Sequence, residues 1–129
     1  MHDQVYTTVR AMSRATRILV VDDSPKVRRT VREIVESAGA RVQECSDGDE
    51  VLEAFERFVP DWVFMDVRMA RIDGLEATRL LKKIHPEARV VIVTEIDQPD
   101  LRTGASEAGA ERFVAKTDLL ELRELIRET

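Results

Sequence analysis

Four short apolar runs punctuate the chain, at residues 18–21, 62–65, 90–93 and 113–115. They are β-branched or aromatic in character and too short for independent helices. Uninterrupted runs of this length read as strands buried on both faces, as in parallel sheets. A fifth segment, 41–45, alternates polar and apolar residues, the pattern of a half-exposed edge strand. Helical spacings fill the intervals. Val27, Val31, Ile34, Val35 and Ala38 recur at i, i+4, i+7, i+8 and i+11. Val51, Leu52, Phe55 and Phe58 form a second stripe, and Leu75, Leu80, Leu81 and Ile84 a third. Leu101, Ala105 and Ala108 give a weaker fourth, with Gly104 inside it; Leu119, Leu122 and Ile126 give a fifth. The punctuation agrees. Ser24 and Pro25 supply an N-cap and a first-turn proline. Gly39 and Gly109 follow the first and fourth stripes, and His85-Pro86 stops the third. Strict strand–helix alternation predicts an α/β fold: a single doubly wound domain whose five-stranded parallel sheet carries helices on both faces.

In open sheets of this kind, ligands bind beyond the carboxyl ends of the strands, where strand order reverses. The first strand runs into Asp22 and Asp23, the third into Asp66, the fourth ends in Thr94, and the fifth is followed by Lys116. The second, ending in Cys45, Ser46 and Asp47, adds only a loop acid. The order 2-1-3-4-5 would set strands one, three, four and five side by side. Three carboxylates, a hydroxyl and an ammonium would then meet at one edge. Singly, each has an ordinary structural reading: Asp22, Asp23 or Asp66 as a helix cap, Thr94 as a turn residue, Lys116 as a solvated surface lysine. Their joint arrival at different strand ends is what points to chemistry. Clustered carboxylates repel unless one stays protonated or a cation joins them. Mg²⁺ takes one or two carboxylates with water and phosphate oxygens. With a lysine and a threonine added, the set suits a phosphoryl group, and a carboxylate can be the nucleophile that accepts it.

Composition narrows the setting. The 129 residues fit one domain, 43% hydrophobic and 35% charged. Twenty Lys and Arg against 25 Asp and Glu give a formal charge of −5, which argues against direct binding to nucleic acid. One cysteine, Cys45, excludes an intramolecular disulfide framework and reads as a packed or edge-strand thiol. No apolar run approaches the roughly 20 residues that span a bilayer, and residues 1–16 lack a signal-peptide core. A cytoplasmic location with no membrane contact is expected. Val5, Val9 and Met12 sit at helical spacing, so residues 1–16 are expected to be an N-terminal extension, a short docking helix or flexible, ahead of a domain at 17–129. His2 and His85 are isolated and point to no metal site.

The ordered set of Ile18-Leu19-Val20-Val21-Asp22-Asp23-Ser24, Met65-Asp66-Val67-Arg68-Met69, Asp73-Gly74-Leu75-Glu76-Ala77-Thr78, Val93-Thr94 and Phe113-Val114-Ala115-Lys116 resembles the receiver domain of bacterial two-component response regulators. The resemblance spans about residues 16–127 and implies the flavodoxin-like order 2-1-3-4-5 with five helices. It implies that Asp66 is the phosphoacceptor, taking its phosphoryl group from a sensor histidine kinase, a phosphotransfer protein or a small donor. Asp23 and Asp66, with the backbone carbonyl of Arg68, match direct ligands of Mg²⁺ (or Mn²⁺). Asp22 matches an acid acting largely through water. Thr94 and Lys116 match the groups that hold phosphoryl oxygens, and Phe113 matches the aromatic switch position. The expected output is a change in the surface of the fourth helix, fifth strand and fifth helix, read by a downstream protein or a second copy. Such a protein is not an enzyme beyond catalysing its own phosphorylation and dephosphorylation.

Some positions depart from the family pattern. Thr117 follows Lys116 where many receivers carry a cis proline, so a trans bond is expected. Ala70-Arg71 replaces a common Pro-Gly, which should loosen the loop after Asp66. Glu95 stands where a small residue is usual; it is expected to reach toward Arg68 and, with it, partly cover Asp66, the alternative being that both point to solvent. Two further readings compete: a pseudo-receiver that signals as a binding module without phosphate, and an enzyme with an aspartyl-phosphate intermediate. The second of these typically needs an acid two residues beyond the nucleophile, where this chain has Arg68. No output domain follows in this sequence, so a stand-alone receiver or a piece of a larger regulator is expected.

Overall fold

The computed structural model describes residues 14–129. Residues 1–13, and with them the stripe of Val5, Val9 and Met12, lie outside the described residues. Five parallel strands run in the order β2-β1-β3-β4-β5. They are β1 (Arg17–Val21), β2 (Arg41–Cys45), β3 (Trp62–Met65), β4 (Val90–Thr94) and β5 (Arg112–Ala115). The helices are α1 (Pro25–Glu36), α2 (Val51–Phe58), α3 (Gly74–Ile84), α4 (Pro99–Ala108) and α5 (Glu121–Glu128). Short 3-10 turns lead out of β2 at Gly48–Glu50 and out of β5 at Lys116–Asp118.

The apolar runs at the centre of the sheet are buried throughout, because β1, β3 and β4 have a strand on each side and helices on both faces. Val31 and Val35 of α1 and Leu122, Leu125 and Ile126 of α5 cover one face, over Ile18, Val20, Phe64 and Val91. Val51, Phe55, Ala77, Leu81 and Ala105 bring α2, α3 and α4 onto the other, over Leu19, Val21, Met65 and Ile92. Segment 41–45 is the alternating edge strand expected of it. Run 113–115 departs from expectation. In β5 only Val114 is buried, while Phe113 and Ala115 are half-buried, because this strand closes the other edge and has a single neighbour.

Helix starts follow the local chemistry. Ser24 Oγ accepts the Val27 amide at 3.2 Å ahead of Pro25. Asp73 Oδ1 accepts the Leu75 and Glu76 amides at 2.9 Å each, so α3 begins one residue later, at Gly74. The third stripe is corrected by the structure. Leu81 is buried and Leu75 half-buried, but Leu80 and Ile84 are 45% and 53% exposed. Adjacent leucines project about 100° apart on a helix, so only one can face the sheet. The inward side is completed by the small residues Gly74, Ala77 and Thr78. Gly74 has no room for a side chain because α3 starts hard against the end of β3: a Cβ there would collide with the Asp66 carbonyl.

Candidate functional site

The carboxyl ends of β1, β3, β4 and β5 converge on one open cavity of about 300 Å³, whose lining includes Asp22, Asp23, Asp66, Thr94 and Lys116. The sheet order alone brings them together, since these four strands are consecutive neighbours. Asp22, Asp66 and Thr94 are buried at 3%, 6% and 2% exposure, while Asp23 is exposed at the mouth. One carboxylate oxygen from each of Asp22, Asp23 and Asp66 lies within 4.8 Å of the others.

Lys116 is the sole cation in direct contact with this cluster among the described residues. Its Nζ is 2.9 Å from Asp22 Oδ2 and 3.3 Å from Asp66 Oδ1. The remaining polar contacts fix orientation. Asp22 Oδ1 accepts the Ser24 amide at 2.9 Å, and Arg28 donates to the Asp22 carbonyl at 2.6 Å. Asp66 Oδ1 accepts the Val67 amide at 2.9 Å, and Thr94 Oγ1 accepts the Ile96 amide at 3.3 Å. These contacts do not satisfy the cluster. Burial, then the charge of Asp22, push the Asp66 carboxyl up to about 6, against the pull of Lys116 and the Val67 amide. For Lys116, burial works against the ammonium, but Asp22 and Asp66 outweigh it and hold its pKa above the ordinary lysine value. Three hard oxygen donors with unrelieved repulsion fit a divalent cation of the Mg²⁺ type.

Arg68 and Glu95 both reach the cavity rim and are exposed, but no ion pair joins them among the described residues. The expected Arg68–Glu95 pair is thus not formed as an ion pair, though both residues line the cavity that holds Asp66. Phe113 stands outside the cavity. Its half-buried ring lies under the Arg102 guanidinium, 4.5 Å from the centroid, and Arg102 is held by Asp97 at 2.6 and 3.0 Å. Every described peptide bond is trans, including the one between Lys116 and Thr117.

The family model for the response regulator receiver domain matches residues 18–127. This chain belongs to the response regulator receiver domain family. The receiver is 35% identical over 102 residues to the chemotaxis protein CheY of Halobacterium salinarum, covering 79% of this chain and 85% of that protein. Among solved structures it is similar to a LuxR-family two-component response regulator from Aurantimonas sp. SI85-9A1, at 34% identity and a TM-score of 0.83, covering 89% of this chain and 84% of that one. It is also similar to a BeF3-activated DrrB receiver domain, at 26% identity and a TM-score of 0.76, covering 90% of this chain and all of that one. No described helix of this receiver is long and apolar enough to cross a membrane.

Sequence reasoning passed over one residue beside the site. Asp47, read as a loop acid, is only 4% exposed. Its Oδ1 accepts the amides of Gly48 and Ile72 at 2.7 and 2.9 Å, and its Oδ2 that of Arg71 at 2.9 Å. The loop after Asp66 is therefore tied down at the place where Ala70-Arg71 was expected to loosen it. The Asp-Gly pair just past a strand was the available signal, since such pairs mark tight turns.

Proposed function

We propose that the protein is a phosphorylatable receiver in which Asp66 accepts a phosphoryl group in a Mg²⁺-dependent reaction. One observation carries this reading: a buried carboxylate with a raised pKa sits between a second acid and a lysine, in a cavity open to solvent. An Asp66 carboxylate oxygen attacks the phosphorus of a phosphohistidine or a small acyl phosphate. The new O–P bond forms as the N–P or O–P bond to the donor breaks, and the leaving group keeps the electron pair. Lys116 is placed to pair with a phosphoryl oxygen in exchange for part of its contact with Asp66, and Thr94 to donate its hydroxyl to another. Held by Asp23, Asp66 and the Arg68 carbonyl, with Asp22 through water, Mg²⁺ would supply neutralising charge for the incoming group.

The phosphoryl group carries about 1.5 to 2 negative charges where the ionised carboxylate carried one. Movement of Thr94 toward it, with Phe113 turning inward, changes the surface of α4, β5 and α5, which a downstream protein or second copy reads. For Phe113 to turn, the Arg102 stack must open. The upstream partner is a sensor histidine kinase or phosphotransfer protein in the cytoplasm, and the only chemistry catalysed is the receiver's own phosphorylation and dephosphorylation. The test is intact-mass measurement after incubation with acetyl phosphate and Mg²⁺. Wild type gains one phosphoryl group and Asp66→Asn gains none. No gain in wild type from either acetyl phosphate or a competent kinase leaves the fold as a phosphate-independent binding module.

A further inference from the structure

The loop between β3 and α3, residues 66–73, carries Asp66 at one end and Arg68 at the cavity rim. Nothing in its own sequence stiffens it, for Ala70 and Arg71 restrict the backbone little. Its amides at 71 and 72 nonetheless have a buried partner, and that partner lies 24 and 25 residues earlier in the chain. Asp47 spends both carboxylate oxygens on three backbone amides, one in its own turn and two in this loop. The two loops are brought into register by Gly48, where a Cβ would stand 2.6 Å from the Ile72 carbonyl oxygen. At the far end, the Gly74 amide donates to the Val67 carbonyl at 2.7 Å. The loop is thus pinned at 67, 71, 72 and 74, and Arg68 is carried on the short free span between two pins.

We propose that Asp47 is a positioning residue for the phosphoacceptor loop, fixing residues 67–72 so that the Arg68 carbonyl is held for the cation. This deepens the proposed function and rests on its Mg²⁺ dependence. Asp47 touches neither cation nor phosphoryl group and acts through the backbone it holds. Charged acceptors make stronger bonds to amides than neutral ones. Asn at 47 keeps Oδ1 for Gly48 and Ile72 and sets its Nδ2 donor against the Arg71 N–H, so it retains part of the clamp; Ala removes it all.

The test compares full-length wild type with Asp47→Asn, Asp47→Ala and a control, Val35→Ala, which lowers stability from the opposite face of the sheet. Mg²⁺ affinity is measured by calorimetric titration well below each melting temperature, and exchange of the Arg71 and Ile72 amides by NMR. Partners that orient metal ligands typically carry 10- to 100-fold in affinity. Asp47→Ala is expected to bind Mg²⁺ about 10-fold more weakly with faster exchange at both amides, Asp47→Asn to fall between, and Val35→Ala to bind as wild type does. If either Asp47 variant exchanges faster at 71 and 72 yet keeps wild-type Mg²⁺ affinity, the proposal is overturned and the functional reading stands. If Val35→Ala weakens binding as much as Asp47→Ala, the effect is general destabilisation and the proposal is likewise overturned. Wild type that binds no Mg²⁺ overturns the functional reading, and the positioning role with it.

Discussion

Asp47 and Asp66 both lie just past the carboxyl ends of strands flanking β1, and both are almost wholly withdrawn from water. Burial alone would raise the pKa of each. For Asp47 it is outweighed by the amides of Ile72, Arg71 and Gly48, and the carboxyl is held below its ordinary value. For Asp66 it adds to the repulsion from Asp22, and one amide and Lys116 do not offset the two. The two also differ in their partners: three backbone amides at Asp47, a neighbouring acid and a lysine at Asp66. A buried carboxylate given three backbone donors is a fastener, stable and unreactive. One given a neighbouring acid stays short of positive charge, and gains when a cation or proton arrives.

This contrast can be broken by experiment, and the largest effect belongs to the fastener. Removing the Asp47 carboxylate orphans three amides, one buried and two part-buried, so Asp47→Ala is expected to cost about 3 kcal/mol in urea unfolding. A cost near zero would mean that water replaces the carboxylate and that Asp47 is not a fastener. Next in size is the response to Mg²⁺. At 100 times its dissociation constant the ion should stabilise wild type by about 2.7 kcal/mol, and Asp66→Asn by much less. Equal stabilisation of both would remove Asp66 from the ligand set.

Smaller is the gain on neutralising Asp66. In chelator at pH 7, Asp66→Asn is expected to be more stable than wild type by about 1 kcal/mol, a figure discounted for screening at the open cavity. Its pH dependence has a definite sign. The folded carboxyl titrates near 6 and the ordinary value is 3.8, so ionisation costs stability above about pH 6. That cost fades as pH falls from 6 toward 4, and the advantage of Asp66→Asn fades with it. Asp47, with a lowered pKa, contributes its full stability above its ordinary value of 3.8 and loses it only below. The Asp47→Ala deficit should therefore be flat from pH 5 to 7. The smallest effect is at Arg71, whose exposed guanidinium pairs with Asp49 at 2.8 Å and Glu50 at 3.6 Å. Arg71→Ala keeps the backbone amide that Asp47 holds, so its melting temperature and Mg²⁺ affinity should match wild type. A large loss would shift the clamp from the backbone to surface charge pairs.

The site was legible in the sequence because its residues stand at strand ends, and strand ends are marked by apolar runs. Asp22, Asp23, Asp66, Thr94 and Lys116 could be read without knowing any side-chain contact, since parallel alternation sends them to one edge. Segment 41–45 declared its edge position by alternating. Run 113–115 did not, because an edge strand can be as apolar as a central one when helices cover part of it. Leu80 and Ile84 misled because spacing cannot say which of two adjacent leucines turns inward. Asp47 was missed because its partners, the amides of Arg71 and Ile72, belong to a distant loop and carry no side-chain signature. The Arg102 stack on Phe113 was hidden for the same reason, being a contact between α4 and β5.

The most direct test of the division between these two acids is to locate the phosphoryl group chemically. After acetyl phosphate and Mg²⁺, borohydride reduction converts an acyl phosphate to an alcohol, and peptide mapping shows which aspartate has become homoserine. The assignment of Asp66 as phosphoacceptor predicts homoserine at position 66 alone, in wild type and in Asp47→Asn, and none when Mg²⁺ is chelated. Reduction product at position 47 or at another acid, or at 66 regardless of Mg²⁺, would contradict it.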